Sequence, residues 1–358
     1  MESQLKNRPI LPVTEISGKA FDRGYQYGTK FKQVITDFTE AFLYGTDPIG
    51  FSNLSRDQAV RYAKKYVPYI EDYSPDLAEQ VRGVAEGSGR LYEEIVLVNL
   101  MEERLGLIGT GCTGFAATGK ATTTGEAYLG QNWDANVESV KMNSVFLLRE
   151  KPDVGPDILV YTYAGNVANA GMNSNGVAIS WTSVPRLEYQ VGVPTYLIVA
   201  EILRQKRIGN AVEAVLRAKR AGCFQFFIGD ATETYSVEAT PSDVDISYST
   251  RYIGHSNHYT SEKFRMKQDM SKLSGSTINR CNRMTRLLEE NCGRIDLNIC
   301  ISALRDHVNY PHSICQHPMQ EEKKTGVTYD SWVMIPAEKE WWFARGPPCL
   351  NEYKKYSF

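Results

Sequence analysis

The spacing of apolar positions changes once along the chain. From about residue 20 to residue 104 they recur three and four apart, which is helical spacing. Phe21, Tyr25, Phe31, Val34, Ile35 and Phe38 predict one helix over about 20–44. Gly24 and Gly28 share one face of it, where they either admit another backbone or are simply tolerated near a helix start. A second helix follows Ser55 and carries Val60, Tyr62, Ala63, Tyr66 and Val67. A third opens with Ser74 as cap, Pro75 at the first helical position and Asp76 in the first turn. It buries Leu77, Val81, Val84 and Ala85 and ends at Gly87-Ser88-Gly89. A fourth covers about 92–104, with Ile95, Val96, Val98, Leu100 and Met101.

Beyond residue 112 the pattern turns to short strands, predicted over 115–118, 127–132, 144–149, 158–164, 168–172 and 177–182. Asn173-Ser174-Asn175-Gly176 predicts a hairpin turn, because Asn-Gly favours positive φ. Two helices are expected at 195–205 and 210–220, then strands at 223–228, 234–239 and 243–248. Helices at 276–291 and 297–306 and strands at 332–335 and 340–344 complete the reading. Trp341-Trp342-Phe343 fits a core strand, or otherwise the lining of a pocket. There are no repeats or low-complexity linkers. Strands, paired helices, then strands fit a layered α+β fold.

Composition narrows the function. The 358 residues are 42% hydrophobic and 23% charged, ample for a large core. A formal net charge of -2 gives no basic surface for nucleic acid. No apolar run approaches the roughly 18 residues of a membrane span. The opening residues, Met1 to Pro9, lack the apolar core of a secretory signal, and Tyr356-Ser357-Phe358 is not a peroxisomal tripeptide. The seven cysteines, an odd and scattered number, fit reduced thiols, so a cytoplasmic setting is expected. No CxxC pair occurs, so a structural zinc site is not expected. His255 and His258 flank Asn257, and His307, His312 and His317 cluster later. Neither spacing is a recognised ligand pattern, so surface or supporting roles are expected and no metal is implied.

The candidate chemistry centres on Gly109-Thr110-Gly111-Cys112-Thr113-Gly114-Phe115. A thiol with pKa about 8.5 needs a base near neutral pH. Most cysteine enzymes supply a histidine. A cysteine at a chain terminus can use its own α-amine, with pKa about 7.7–8.0. Glycine before the cysteine suits self-cleavage, because it permits a strained backbone and leaves its carbonyl open to attack. From its neighbours alone, Cys112 equally reads as a small buried hydrophobe in a glycine-rich turn.

The wider pattern resembles the acyl-coenzyme A:6-aminopenicillanic-acid acyltransferase family, whose members are N-terminal nucleophile hydrolases. The resemblance rests on Gly111-Cys112-Thr113, Gly130-Gln131-Asn132-Trp133-Asp134, Arg23-Gly24-Tyr25-Gln26-Tyr27-Gly28 and Gly171-Met172-Asn173-Ser174-Asn175-Gly176-Val177. Ser256-Asn257-His258 and Tyr310-Pro311-His312-Ser313-Ile314-Cys315 extend it in order along nearly the whole chain.

The resemblance implies a four-layer αββα sandwich with a helical N-terminal segment. It also implies cleavage between Gly111 and Cys112, leaving 1–111 as a retained small subunit and 112–358 as the catalytic fragment. By the same resemblance Cys112 is the nucleophile and Asp134 holds its amine. Asn257 donates to the oxyanion, and a backbone N–H near Thr182 could be the second donor. Gln316 stands where some relatives carry an arginine, a departure that Arg104 or Arg345 could offset. The expected activity is an amidohydrolase or acyltransferase working through a thioester, without cofactor or metal, on a small-molecule amide or acyl donor. Its partner is its own N-terminal fragment, not nucleic acid or a membrane. A Cys–His thiol hydrolase that stays in one piece, and a non-catalytic binding member of the same fold, remain as alternatives.

Overall fold

Backbone pairing sorts the strands into two sheets in a computed structural model that describes residues 5–45, 55–105, 111–136, 143–248, 251–319 and 326–358. One sheet contains β1 (Val13–Gly18), β4 (Val145–Pro152), β5 (Ile158–Tyr163), β6 (Ala170–Asn173), β7 (Ala178–Thr182), β8 (Phe224–Gly229), β9 (Thr234–Ala239) and β10 (Val244–Tyr248), in that spatial order. The second runs β11 (Tyr252–His255), β2 (Cys112–Ala117), β3 (Tyr128–Asn136), β12 (Gly326–Ile335), β13 (Glu340–Ala344) and β14 (Lys354–Ser357). The first sheet is antiparallel except at its edge, where β1 joins β4 in parallel with Val13 opposite Leu147.

The alternation of side chains along each strand explains why the sheets stack. On β2, Cys112 and Ala116 join the large core between the sheets, while Phe115 and Ala117 point the other way. On β12, Trp332 and Met334 face inward, and Val333 and Ile335 face outward. Every one of these positions is buried, so the sheet has helices on one face and another sheet on the other. The Trp181 N–H of β7 donates to Gln131 Oε1 of β3 at 2.9 Å, and Trp332 Nε1 donates to Ser180 Oγ at 2.9 Å, tying the sheets together.

Helices cover both outer faces. They are α1 (Ala20–Lys30), α2 (Lys32–Tyr44), α3 (Arg56–Ala63), α4 (Val67–Tyr73), α5 (Pro75–Ser88), α6 (Tyr92–Val98), α7 (Met101–Leu105), α8 (Thr195–Leu203), α9 (Ile208–Arg217), α10 (Gly275–Glu290) and α11 (Leu297–Leu304). Helices α1, α8 and α9 pack on the larger sheet, and α10 and α11 on the smaller. The result is the αββα order that the resemblance implied, with β1 as an unexpected strand in the otherwise helical N-terminal segment.

Three predicted helices are each divided, the one after Ser55 between Ala63 and Val67. The 20–44 stretch breaks at Phe31, whose backbone leaves helical values (φ -112°, ψ 23°) as its ring settles 4.0 Å, centroid to centroid, from Phe146. The 92–104 stretch breaks at Asn99, whose side chain accepts from Val167 N–H at 3.2 Å and donates to Ile95 and Gly165 carbonyls. Ser55 closes a reciprocal capping box with Gln58. Ser74 precedes α5 without capping it; its hydroxyl donates to Glu201 at 3.0 Å instead.

Gly24 and Gly28 admit a backbone. A Cβ on Gly24 would lie 2.1 Å from Gln80 O, and one on Gly28 would lie 2.5 Å from Val84 O. Gly83 and Gly87 return the contact from α5. Gly24→Ala should therefore destabilise the protein by more than about 3 kcal/mol, although alanine normally favours a helix by up to about 1 kcal/mol. Denaturant unfolding checks this; an unchanged or raised midpoint would contradict the close-packing explanation.

Candidate active site

Cys112 is the first residue of β2 and is 2% exposed. Its cross-strand partner is Trp133, whose Nε1 donates to the Tyr163 hydroxyl at 2.6 Å. The thiol therefore faces an aromatic lining between the sheets. Burial pushes its pKa up, and the Asp134 charge pushes the same way, while the Asp134 N–H and Arg280 pull it down. A thiol in such surroundings stays protonated unless a base takes its proton.

The bond before Cys112 is held from both ends. Gly111 O accepts from Asp134 N–H at 2.8 Å, and Cys112 N–H donates to Asn257 Oδ1 at 2.8 Å. Asn257 sits just after β11 and donates its Nδ2 to Ser183 O at 3.0 Å. Arg280 Nη2 donates to Asn257 Oδ1 at 2.9 Å, which fixes that atom as the amide oxygen. Gly111 has no room for a side chain: a Cβ would lie 2.8 Å from Gln316 Nε2 and 3.1 Å from Asp134 Oδ2.

Asp134 is fully buried on β3. Its Oδ1 accepts from Thr328 Oγ1 at 2.8 Å and its Oδ2 from Gln316 Nε2 at 2.7 Å. Burial raises its pKa to about 7 against the lowering influence of Arg280, Thr328 and Gln316. The predicted residues Gly111, Cys112, Asp134, Asn257 and Gln316 thus share one site. It is Asn257, through its oxygen, that contacts the Cys112 nitrogen, and not Asp134 as expected; the Asp134 carboxylate is occupied by Thr328 and Gln316. Gly109 and Thr110 lie outside the described residues.

Sequence reasoning missed Arg280. This 3%-exposed side chain donates to Cys112 O, to Thr113 Oγ1 at 2.7 Å and to Asn257. It lies on the buried face of α10 with Thr277, Cys281, Met284 and Leu288, so a cation at an apolar helical position was the available signal. Arg345 is elsewhere, bonded to Asn143, and the Arg104 side chain falls outside the described residues.

Thr182 ends β7 opposite Gln225, so its backbone belongs to the sheet. Its hydroxyl donates to Gln225 Oε1 at 3.0 Å and meets His255 Nδ1 at 2.8 Å. The other His255 nitrogen meets Glu238 Oε1 at 2.9 Å, so both are engaged away from Cys112. Burial raises the Glu238 pKa, but bonding and charge from His255 with donors from Ser261 and Thr260 outweigh it and hold the carboxyl at about 2. His258 meets Thr277 and Ser256, and burial lowers its pKa to about 4. A surface groove of about 850 Å³, lined in part by Arg23, Tyr73, Glu201 and Arg204, contains none of these site residues.

The sequence profile of the family described as "Acyl-coenzyme A:6-aminopenicillanic acid acyl-transferase" matches residues 121–348, a span holding Asp134, Asn257, Arg280 and Gln316. The chain belongs to that family. It is 27% identical over 329 residues to the "Acyl-coenzyme A:6-aminopenicillanic-acid-acyltransferase 40 kDa form" of Emericella nidulans, covering 89% of this chain and 88% of the relative. Among solved structures, a conjugated bile acid hydrolase from Clostridium perfringens aligns at 13% identity and TM-score 0.46, over 69% of this chain and 97% of that one. The Caenorhabditis elegans ortholog of N-acylethanolamine-hydrolyzing acid amidase aligns at 14% identity and TM-score 0.44, over 63% and 93%. Among the described residues of this family member, no helix is long and apolar enough to cross a membrane.

Proposed function

We infer that the chain is a self-processing cysteine amidohydrolase or acyltransferase acting on a small acylated amine or peptide. One observation carries this reading: the Gly111–Cys112 peptide is gripped on its carbonyl by Asp134 N–H and on its nitrogen by Asn257 Oδ1. The first grip stabilises the oxyanion formed when Cys112 Sγ attacks the Gly111 carbonyl carbon. The second holds the departing nitrogen.

In this step the S–C bond forms, the C–N bond breaks and the thiol proton passes to the Cys112 nitrogen. Water then hydrolyses the thioester, leaving a Gly111 carboxylate and free Cys112. The new α-amine lies beside its own thiol and supplies the base that the buried site otherwise lacks. In turnover the amine takes the thiol proton, sulfur attacks the substrate acyl carbon and the amide nitrogen leaves protonated. Water gives hydrolysis; an amine, such as the 6-aminopenicillanic acid of the family name, gives transfer. Access of water selects between them.

The fragment 1–111 stays bound on this reading. Its β1 is paired into the larger sheet, and buried Arg23 bonds Glu150 at 3.0 Å. Tyr27 donates to Tyr163 O at 2.8 Å, across the same division.

Intact mass and terminal sequencing of purified wild type test the proposal. Two pieces are expected, the larger beginning at Cys112. A fully active enzyme that remains one 358-residue chain would overturn it.

A further inference from the structure

Outside that site, four side chains with metal-binding atoms meet at one point. His307 follows α11, Cys315 and His317 lie in the irregular segment before β12, and Cys349 lies between β13 and β14. Their ligand atoms all fall within 4.8 Å of one another. We propose that His307, Cys315, His317 and Cys349 bind one tetrahedral metal ion, zinc by ligand chemistry, which clamps the segment carrying Gln316 against Asp134.

Four of the six separations among these atoms match the edges of a tetrahedral shell, and all six lie within 4.8 Å. With Zn–S near 2.3 Å and Zn–N near 2.0–2.1 Å, its edges are about 3.8 Å for S···S, about 3.5 Å for S···N and about 3.3 Å for N···N. Here Cys315 and Cys349 sulfurs are 3.6 Å apart, and the Nε2 atoms of His307 and His317 are 3.2 Å apart. His317 Nε2 is 3.6 Å from Cys315 Sγ and 3.2 Å from Cys349 Sγ. Hydrogen bonding does not account for this crowd. One imidazole nitrogen offers a single proton or a single lone pair, yet three groups converge on His317 Nε2. A disulfide does not account for it either, since an S–S bond is about 2.05 Å long. Two thiolates and two imidazoles filling all four positions are the ligand set of a structural zinc site.

The segment is already shaped for the task. Cys315 N–H donates to Asp306 O at 3.0 Å, His317 N–H donates to Pro311 O at 3.1 Å, and Ser313 Oγ donates to Cys315 O at 2.6 Å. Cys315 and His317 are buried, whereas His307 is exposed and Cys349 half-buried, which leaves a side for metal entry. Gln316 lies between two ligands and donates to Asp134, while Ile314 O accepts from Asn132 of β3. Metal binding would fix the segment on both sides of the amide that orients Asp134.

The spacing hid the site: the fourth ligand comes from a different turn, 32 residues beyond His317. Elemental analysis of the wild type, reduced and dialysed against metal-free buffer, should find about one zinc per chain. Stripped wild type titrated with cobalt(II) alone should give the visible absorption of a tetrahedral thiolate site, which zinc(II) then abolishes. Cys315→Ser/Cys349→Ser should lose the metal, and Cys292→Ser, an exposed cysteine elsewhere, should keep it. Reduced wild type without stoichiometric metal and without a cobalt–thiolate band would overturn the proposal. So would metal retained by the double variant, or a Cys315–Cys349 disulfide in protein purified under reducing conditions. The two wild-type measurements decide the matter even if the double variant fails to fold.

Discussion

Cys112→Ala should remain a single chain and lose acyl hydrolysis and transfer by more than about a thousandfold. The substitution removes the sulfur that, in the proposed mechanism, attacks Gly111 and later the substrate. It leaves the bonds from Asp134 N–H to Gly111 O and from residue 112 N–H to Asn257 in place, because on this side they involve only main-chain atoms of residues 111 and 112. Loss of one buried sulfur should cost under about 2 kcal/mol, so the variant should fold. Its folded, uncut state then separates chemistry from collapse. Intact mass reports the cleavage, circular dichroism the fold, and an acyl-donor screen the turnover. Normal fragments from this variant would mean that another group, or a contaminating protease, makes the cut.

Arg280→Met should be the most damaging substitution among residues that carry no covalent chemistry. The guanidinium donates to Cys112 O, Thr113 Oγ1 and Asn257 Oδ1, and it is the cation beside Asp134. Without it three buried acceptors lose a charged donor and a buried carboxyl loses its positive neighbour. Disrupting such a network costs roughly 3–5 kcal/mol of stability. The sign for Asp134 is fixed: its carboxyl, raised by burial to about 7 with Arg280 opposing, should rise further. A neutral Asp134 would then dominate at pH 7. Uncut precursor should accumulate, with cleavage slowed by at least about a hundredfold, comparable to loss of an oxyanion donor. Arg280→Lys should recover part of the rate, because it restores the charge without the fork. Wild-type cleavage by Arg280→Met at wild-type stability would remove Arg280 from the site's function.

The sequence revealed elements whose pattern is local and hid those defined by contact. Most strands after residue 112 were legible because both faces are buried and turns bound them. The hairpin at Asn173–Gly176 was legible from Asn-Gly, and Gly176 indeed has φ +91°. Strand β1 was missed because exposed Glu15 and Ser17 alternate with buried Thr14 and Ile16 over only six residues, and one of the two buried positions is polar, a signal too short to outweigh its helical neighbours. Strands β11 and β14 have four residues each and gain their identity from pairing with β2 and β13. At the site, motif residues could be named, but their partners could not. Arg280 enters from α10, more than twenty residues after Asn257, and no spacing rule connects them. The same holds for Cys349 beside His317.

The parallel pairing of β1 with β4 has a consequence for how the two halves could ever part. Residues 13–18 supply the outermost ribbon of a sheet whose remaining strands all follow residue 112. A nick at 111 would therefore leave products joined by strand complementation, not merely docked. Pulling them apart would strip backbone amides from β4 and bare an adhesive border. A gene shortened to begin at 112 would encode a protein born with that border uncovered.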